Sequence, residues 1–346
     1  MSGEQLRRST IHDVARLAGV SIKTVSRVIN GEPNVAPSTA QKVRDATAML
    51  HYLPDAAAAN LARSGRETHS IALLIPTVDN QFFARIFHGV EQVAHEHGFV
   101  VFAASTDLNL ETEESLVRVF ASRQVDGFII APAPGDHRDV IDLLGTRMPC
   151  VFIDQTPAGV AADVVTVDNK AAAREAVSHL LNYGHRRIGF MGDDANLSTA
   201  RQRRVAYEET LLEAGVVPDP QLVEMGVRDT EKAEAATRRL LELDDPATAI
   251  FASRNLAAIG AVRVLQQMGL SHKIALVGMG EIDVSDLLEP PLTVMAQDPL
   301  GFGRLAAQRL MERIEGHDET PQTLIAPAHL VTRGSGEIPL QPITAR

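Results

Sequence analysis

A small all-α head followed by a two-lobed, doubly wound α/β body is the architecture that this sequence predicts. Three observations predict it. Two short amphipathic helical patterns joined by a glycine turn stand near the start, at residues 10–30. From His69 onwards, short β-rich runs alternate with amphipathic stretches, the pattern of parallel sheets covered by helices. Charge is divided in the same way: residues 1–66 carry nine Lys/Arg against five Asp/Glu, a balance of +4, within a chain of net charge −11.

With 346 residues the chain exceeds one ordinary core, so several domains are expected. Apolar residues at 45% and charged residues at 22% give the balance of a globular protein rather than a disordered one. The single cysteine, Cys150, rules out an intramolecular disulfide framework and a multi-thiolate zinc site. No apolar run approaches a membrane span, and Met1–Gly19 lacks a signal-peptide core, so a cytoplasmic protein is expected.

The first helix should start at Thr10, an N-cap with Asp13 three residues on. Ile11, Val14, Ala15 and Ala18 recur at helical spacing as its buried stripe. Gly19 suits the left-handed end of that helix, and Ser21 can cap the next. In Ile22–Ile29 the apolar Val25, Val28 and Ile29 share an arc of roughly 100°. Ile22, Lys23, Ser26, Arg27 and Asn30 occupy another of about 140°. That second arc offers donors for guanine or phosphate, a short hydroxyl and an apolar tip for a thymine methyl. An amphipathic hairpin with a merely solvated face has the same pattern; the basic surroundings favour DNA. A third helix after Pro37-Ser38, with Val43, Ala46, Thr47 and Leu50 inward, closes a small core.

Residues 10–30, from Thr10-Ile11-His12-Asp13 to Arg27-Val28-Ile29-Asn30, resemble the DNA-binding signature of the LacI/GalR family of bacterial transcription regulators. The likeness continues through His51-Tyr52-Leu53-Pro54 and Asn60-Leu61-Ala62, where that family has a hinge helix. It implies that Ile22, Lys23 and Arg27 read bases and that Leu61 wedges into the minor groove. The DNA-facing set is then Thr10, Ser21, Ile22, Lys23, Thr24, Ser26, Arg27, Asn30, Ala58 and Leu61. The hinge stands physically as well. Ala56–Ala59 has high helix propensity, but about two turns cannot hold a helix alone in water, so DNA and a second copy must support it.

In the body, Ile71–Ile75, Val100–Ala103, Gly127–Ala131, Ile188–Met191, Ala249–Ala252 and Ile274–Val277 suit buried parallel strands. Helical patterns such as Phe82–Glu96, Ala171–Asn182, Arg201–Ala214 and Leu256–Met268 lie between them. Walker A, complete dinucleotide-binding and nucleophile-elbow sequences are all missing, so no catalytic residue, metal site or cofactor is assigned. The segments after the strands resemble the sugar-binding body of the same family, similar in fold to periplasmic sugar-binding proteins. That likeness implies an effector site from Asn80, Phe82, Asp154, Arg201, Arg228, Arg254, Asn255 and Gln297. Carboxylates and guanidinium groups gripping hydroxyls, with the Phe82 face against a ring, suit a polyol.

Two departures matter. Arg254-Asn255 stands where the family usually has Asn-Asp, and Gly280-Glu281 where it usually has a carboxylate first. A more positive pocket follows, predicting an anionic effector unless Arg254 is satisfied internally, for instance by Glu281.

The resulting expectation is a homodimeric repressor, with a head at 1–53, hinge and linker at 54–66, body at 67–337 and tail at 338–346. Its partners would be a pseudo-palindromic double-stranded operator and a sugar, polyol, sugar acid or sugar phosphate, with no membrane. A solute-binding protein, or an α/β enzyme fused to a DNA-binding head, remains the alternative. Leu61→Ala should weaken operator binding and leave effector binding intact, because the wedge acts only on bent DNA. Parallel titrations with duplex and effector check this; an equal loss in both makes Leu61 a packing residue.

Overall fold

The structure is a computed structural model that describes residues 9–29, 32–52, 68–145, 148–317 and 320–340. It forms two compact units, Met1–Thr68 and His69–Arg346. The predicted hinge and Leu61 lie outside the described residues, as does Asn30.

The head holds helices α1 (Ile11–Ala18), α2 (Ile22–Ile29) and α3 (Pro37–Met49). Thr10 caps α1 in a reciprocal box with Asp13, and Gly19 ends it in the left-handed region at φ 67°. Ser21 Oγ accepts from the Thr24 amide at 3.2 Å and so caps α2. Val14, Ala15, Val25, Val43 and Ala46 form the core, with Ile11, Ala18, Val28, Ile29, Leu50 and Tyr52 packed around it. Thr47, expected inward, is half-buried and returns its hydroxyl to the Val43 carbonyl at 2.8 Å.

The body has two six-stranded sheets. The first lobe contains β1 (Ser70–Ile75), β2 (Val100–Ser105), β3 (Gly127–Ile130), β4 (Cys150–Ile153), β5 (Asp163–Val167) and β11 (Thr323–Ala326). Their order is β11-β5-β4-β3-β1-β2, all parallel. The second lobe contains β6 (Ile188–Met191), β7 (Val223–Glu224), β8 (Ala249–Ala252), β9 (Ala275–Met279), β10 (Thr293–Gln297) and β12 (Ala328–Val331). Here the order is β12-β10-β9-β8-β6-β7, with β12 alone antiparallel. The chain therefore passes between lobes after β5, after β10 and after β11.

Alternation along β1 sends Ile71, Leu73 and Ile75 to one face and Ala72 and Leu74 to the other, each into its own core. Helices α4 (Gln81–Glu96), α5 (Leu110–Ser122) and α6 (Arg138–Leu144) belong to the first lobe. Helices α7 (Asn169–Asn182), α8 (Ser198–Glu213), α9 (Thr230–Leu241) and α10 (Asn255–Gln267) cover the second. One strand departs from expectation: β2 is an edge strand rather than a buried one, with Val100 60% and Phe102 46% exposed. An apolar run has the same composition at a sheet centre and at its edge, so the sequence carried no sign of the difference. The body's contacts also continue past residue 337: Ile338 is buried, and the Leu340 amide donates to the Tyr183 carbonyl at 3.2 Å.

Helix α11 (Pro299–Ile314) follows β10 in the second lobe yet packs on α4 in the first. The two helices meet backbone to backbone. A Cβ on Gly303 would stand 2.1 Å from the Ile86 carbonyl oxygen, and one on Gly89 2.2 Å from that of Leu300. Arg309 and Arg313 then fasten α11 to the buried Asp163 of β5, Nε to carboxylate oxygen, at 3.0 and 2.6 Å. Gly303→Ala should therefore destabilise the body by about 1–3 kcal/mol, the usual cost of overpacking. Denaturant unfolding compared with wild type checks this; unchanged stability would mean that the helices separate freely.

Candidate functional site

Two surfaces collect the residues singled out by sequence. On the head, Ile22 is 42% exposed, and Lys23 and Arg27 are exposed beside it, while Val25 is buried behind them. Ser26 and Thr24 are half-buried on the flank of α2. Arg27 Nε lies 3.4 Å from Glu32 Oε2, both side chains half exposed. In water such a pair contributes little, so the guanidinium is available to a stronger acceptor. Two predicted contacts have local duties. The Thr10 hydroxyl is engaged with Asp13 at 2.7 Å, and that of Ser21 with Thr24 at 2.9 Å. Ala58, like Asn30 and Leu61, is outside the described residues.

On the body, the carboxyl ends of both sheets open into one interlobe cleft of about 1020 Å³, including the part open to solvent. From the first lobe it takes Asn80 and Phe82 beyond β1, and Asp154 beyond β4. From the second it takes Asp193 beyond β6, Arg254 and Asn255 beyond β8, and Gly280 and Glu281 beyond β9. Gln297 closes it at the end of β10, and Arg203 reaches it from α8.

Asn80 caps α4, its Oδ1 accepting from the Phe82 amide at 2.9 Å and from Asn255 Nδ2 across the cleft at 3.1 Å. On the same rim Gln81 and Arg85 of the first lobe hold Asp283 of the second. On the opposite rim Gln155 Nε2 donates to Thr199 Oγ1 at 2.7 Å, and Gln155 Oε1 accepts from Ser198 Oγ at 2.8 Å. Phe82 stands edge-on to Phe83 and Phe302, which fixes its ring. The Gln297 amide nitrogen is buried without a hydrogen-bond partner among the described residues, so it presents an unused donor to the cleft.

Arg203 is buried, its Nε donating to Asn169 Oδ1 at 2.8 Å and its Nη1 to the Ser253 carbonyl at 2.7 Å. Desolvation pulls its guanidinium below the ordinary value, with the Asp154 charge opposing. Asp154, left-handed at φ 63°, is affected in the opposite sense. Desolvation raises its carboxyl above the usual 3.8, with Arg203 opposing.

Of the eight residues proposed for the effector, six line this cleft and two do not. Arg201 is exposed and donates to the Asn196 carbonyl at 2.7 Å, lining a separate hollow with Thr156 and Ser198. Arg228 is half exposed, paired with Asp194. The inward arginine is Arg203, and periodicity would have found it. The buried face of α8 runs Thr199, Ala200, Arg203, Ala206, Tyr207 and Thr210, whereas Arg201 falls outside that stripe. Asp193 was also missed, although it follows β6 as Asp154 follows β4. The internal partner weighed for Arg254 exists but is Asp193, not Glu281; Glu281 Oε1 is held by Arg333 Nη2 at 2.6 Å. The unsatisfied guanidinium that argued for an anionic effector is thus absent.

A helix-turn-helix head in one chain with a body whose two sheets open into a polar cleft defines a ligand-responsive DNA-binding regulator. Comparison with known proteins agrees. Residues 10–55 match the model of bacterial regulatory proteins of the lacI family. Residues 68–333 match that of periplasmic binding proteins and the sugar-binding domain of the LacI family. The chain belongs to the LacI family, and it is a transcription regulator rather than an enzyme. It is 31% identical to the HTH-type transcriptional repressor PurR of Photobacterium profundum, over 94% of this chain and 98% of the relative. To the repressor CytR of Escherichia coli K12 it is 28% identical, over 96% and 97%. A lac repressor dimer bound to operator and the anti-inducer ONPF superposes with TM-score 0.82 at 25% identity, over 95% and 99% of the two chains. The regulator CelR in complex with cellobiose gives TM-score 0.70 at 32% identity, over 95% and 100%. Among the described residues, no helix is long and apolar enough to cross a membrane.

Because the Asp154 carboxyl titrates above 3.8, the fold holds its proton more tightly than the unfolded chain does. Its contribution is fully present below 3.8 and is lost as pH rises through the folded value. Asp154→Asn should therefore raise the melting temperature of the ligand-free protein at neutral pH and flatten its fall with pH. Melting temperatures across a pH series check this; a steeper fall in the variant would overturn it.

Proposed function

We propose that this chain is a cytoplasmic homodimeric repressor whose grip on a pseudo-palindromic operator is controlled by a carbohydrate-like effector in the interlobe cleft. The observation that carries the reading is the convergence of both sheets' strand ends, with their hydrogen-bonding side chains, on one cleft in a chain that bears a LacI-type head. Residues 1–53 serve as the DNA-binding head, 54–66 as hinge and linker, and the body from 67 as effector and dimer module. Ile22, Lys23 and Arg27 face the bases, with Leu61 and Ala58 supplied by the hinge. Asn80, Phe82, Asp154, Arg203, Arg254, Asn255 and Gln297 hold the effector. Phe82 offers a face to a ring, Asp154 and Asn80 accept from hydroxyls, and Gln297 donates. The lobes are already joined across the cleft through Asn80–Asn255 and Gln155–Thr199. A ligand that binds one lobe spacing better than another therefore shifts the balance between DNA-competent and incompetent forms. Cellobiose bound to CelR is a sugar precedent in a relative of this body.

Selection from random duplexes, followed by titration across salt, tests the DNA half. The expected result is a two-fold symmetric site whose affinity falls steeply with salt. Lys23→Ala and Arg27→Ala should each lose about 1–3 kcal/mol of discrimination against random DNA. An equal loss on every sequence assigns both to phosphate. Thermal shifts against cellobiose and a panel of sugars and polyols test the effector half, because a ligand of the native state raises the melting temperature. A panel without effect, or one whose members shift stability but never operator affinity, overturns it.

A further inference from the structure

The effector cleft is lined by three arginines, Arg85, Arg203 and Arg254, and three carboxylates, Asp154, Asp193 and Glu281. Two of these six spend their charge outwards, Arg85 on Asp283 and Glu281 on Arg333. Asp154, Asp193, Arg203 and Arg254 remain as an inner group of two cations and two anions. Within it Arg254 and Asp193 are joined directly, with side chains only 19% and 17% exposed. Arg203 already donates to Asn169 and to the Ser253 carbonyl. A guanidinium placed in a ligand cleft would ordinarily take a carboxylate or phosphate with two parallel hydrogen bonds. Here one wall of the cleft supplies that carboxylate itself.

We propose that Asp193 is the specificity-determining residue of the cleft: by occupying Arg254 it excludes anionic effectors and restricts the site to uncharged, hydroxyl-bearing ones. The inference rests on reading this cleft as the effector site. Asp193 stands two residues beyond β6 and Arg254 two beyond β8, and these strands are parallel neighbours, so the sheet sets the separation of the pair. An anion entering the cleft would meet the Asp193 charge at the guanidinium it needs, and displacing it would leave a desolvated carboxylate unpaired. An uncharged polyol meets no such obstacle and can bond to both members of the pair while they stay together.

Inorganic phosphate is the probe, added to the full-length protein at ionic strength held constant with sodium chloride. Wild type should show no phosphate-specific rise in melting temperature. Asp193→Asn should show a saturable rise of several degrees, because Arg254 is then an unmet cation in a low-dielectric wall. Asp193→Ala/Arg254→Met should lose that rise. Asp193→Ser provides a second carboxylate-free variant with the same expected gain, and far-UV circular dichroism confirms that each variant is folded. The proposal is overturned if wild type takes up phosphate as Asp193→Asn does. It also fails if neither single variant gains a response, or if the response survives removal of Arg254. Failure of cellobiose and the wider panel to bind wild type would strike the effector reading instead, and the phosphate arms do not depend on it.

Discussion

The molecule turns on a constraint of strand direction. Among the described residues, eleven of the twelve body strands share the direction of their sheet and β12 alone opposes it, so each lobe collects the carboxyl ends of its parallel strands, and the loops that follow them, on a single edge. The chain crosses between the lobes three times, and these crossings hold the two edges against one another. Asn80, Asp154, Asp193, Arg254 and Gln297 come from segments far apart in sequence, yet they face one volume because each stands at the carboxyl end of a strand or just beyond it. The crossing helix α11 carries much of this arrangement. Its glycine contact with α4 and its arginines on Asp163 tie the second lobe's outgoing chain to the first lobe's sheet.

Within that frame the cleft is polar but close to electrically neutral, with three arginines and three carboxylates in its lining. Burying ions is costly unless each is matched, and the inner group of Asp154, Asp193, Arg203 and Arg254 supplies its own counter-charges. The matching is incomplete in an informative way. Desolvation raises the Asp154 carboxyl and lowers the Arg203 guanidinium, so burial disfavours the charged form of each. The Gln297 amide keeps a buried donor with no acceptor among the described residues. Such strain is typical of a site shaped for a partner outside the chain. Hydrogen bonds on both rims join the two lobes across that site.

The head uses simpler means. Reciprocal capping by Thr10 and Asp13, a left-handed Gly19 and the Ser21 cap bound two helices that pack over a core of five buried residues. With Val25 turned inward, Ile22, Lys23 and Arg27 have nowhere to go but outward. A hydrogen bond from Ser9 Oγ to the Leu50 carbonyl at 2.8 Å ties the start of this unit to the end of α3.

Local physics made the head's helices, the strand positions and the strand-end loops legible from sequence, because caps, glycine turns and apolar periodicity act over a few residues. The helix starts at Thr10 and Ser21, and the strands Ile188–Met191 and Ala249–Ala252, stand where the pattern put them. Periodicity also contained the answer for α8, where Arg203 and not Arg201 shares the buried stripe. Other features were decided only by tertiary structure. The exposure of β2 depends on which strand ends the sheet, a matter of strand order rather than composition. The partner of Arg254 depends on it as well. Arg254 follows β8, which lies between β6 and β9, so Asp193 and Glu281 flank it from either side. Sequence offered no ground for choosing between them. The return of Arg333 beyond β12 settles it, drawing Glu281 away and leaving Asp193 to meet the guanidinium.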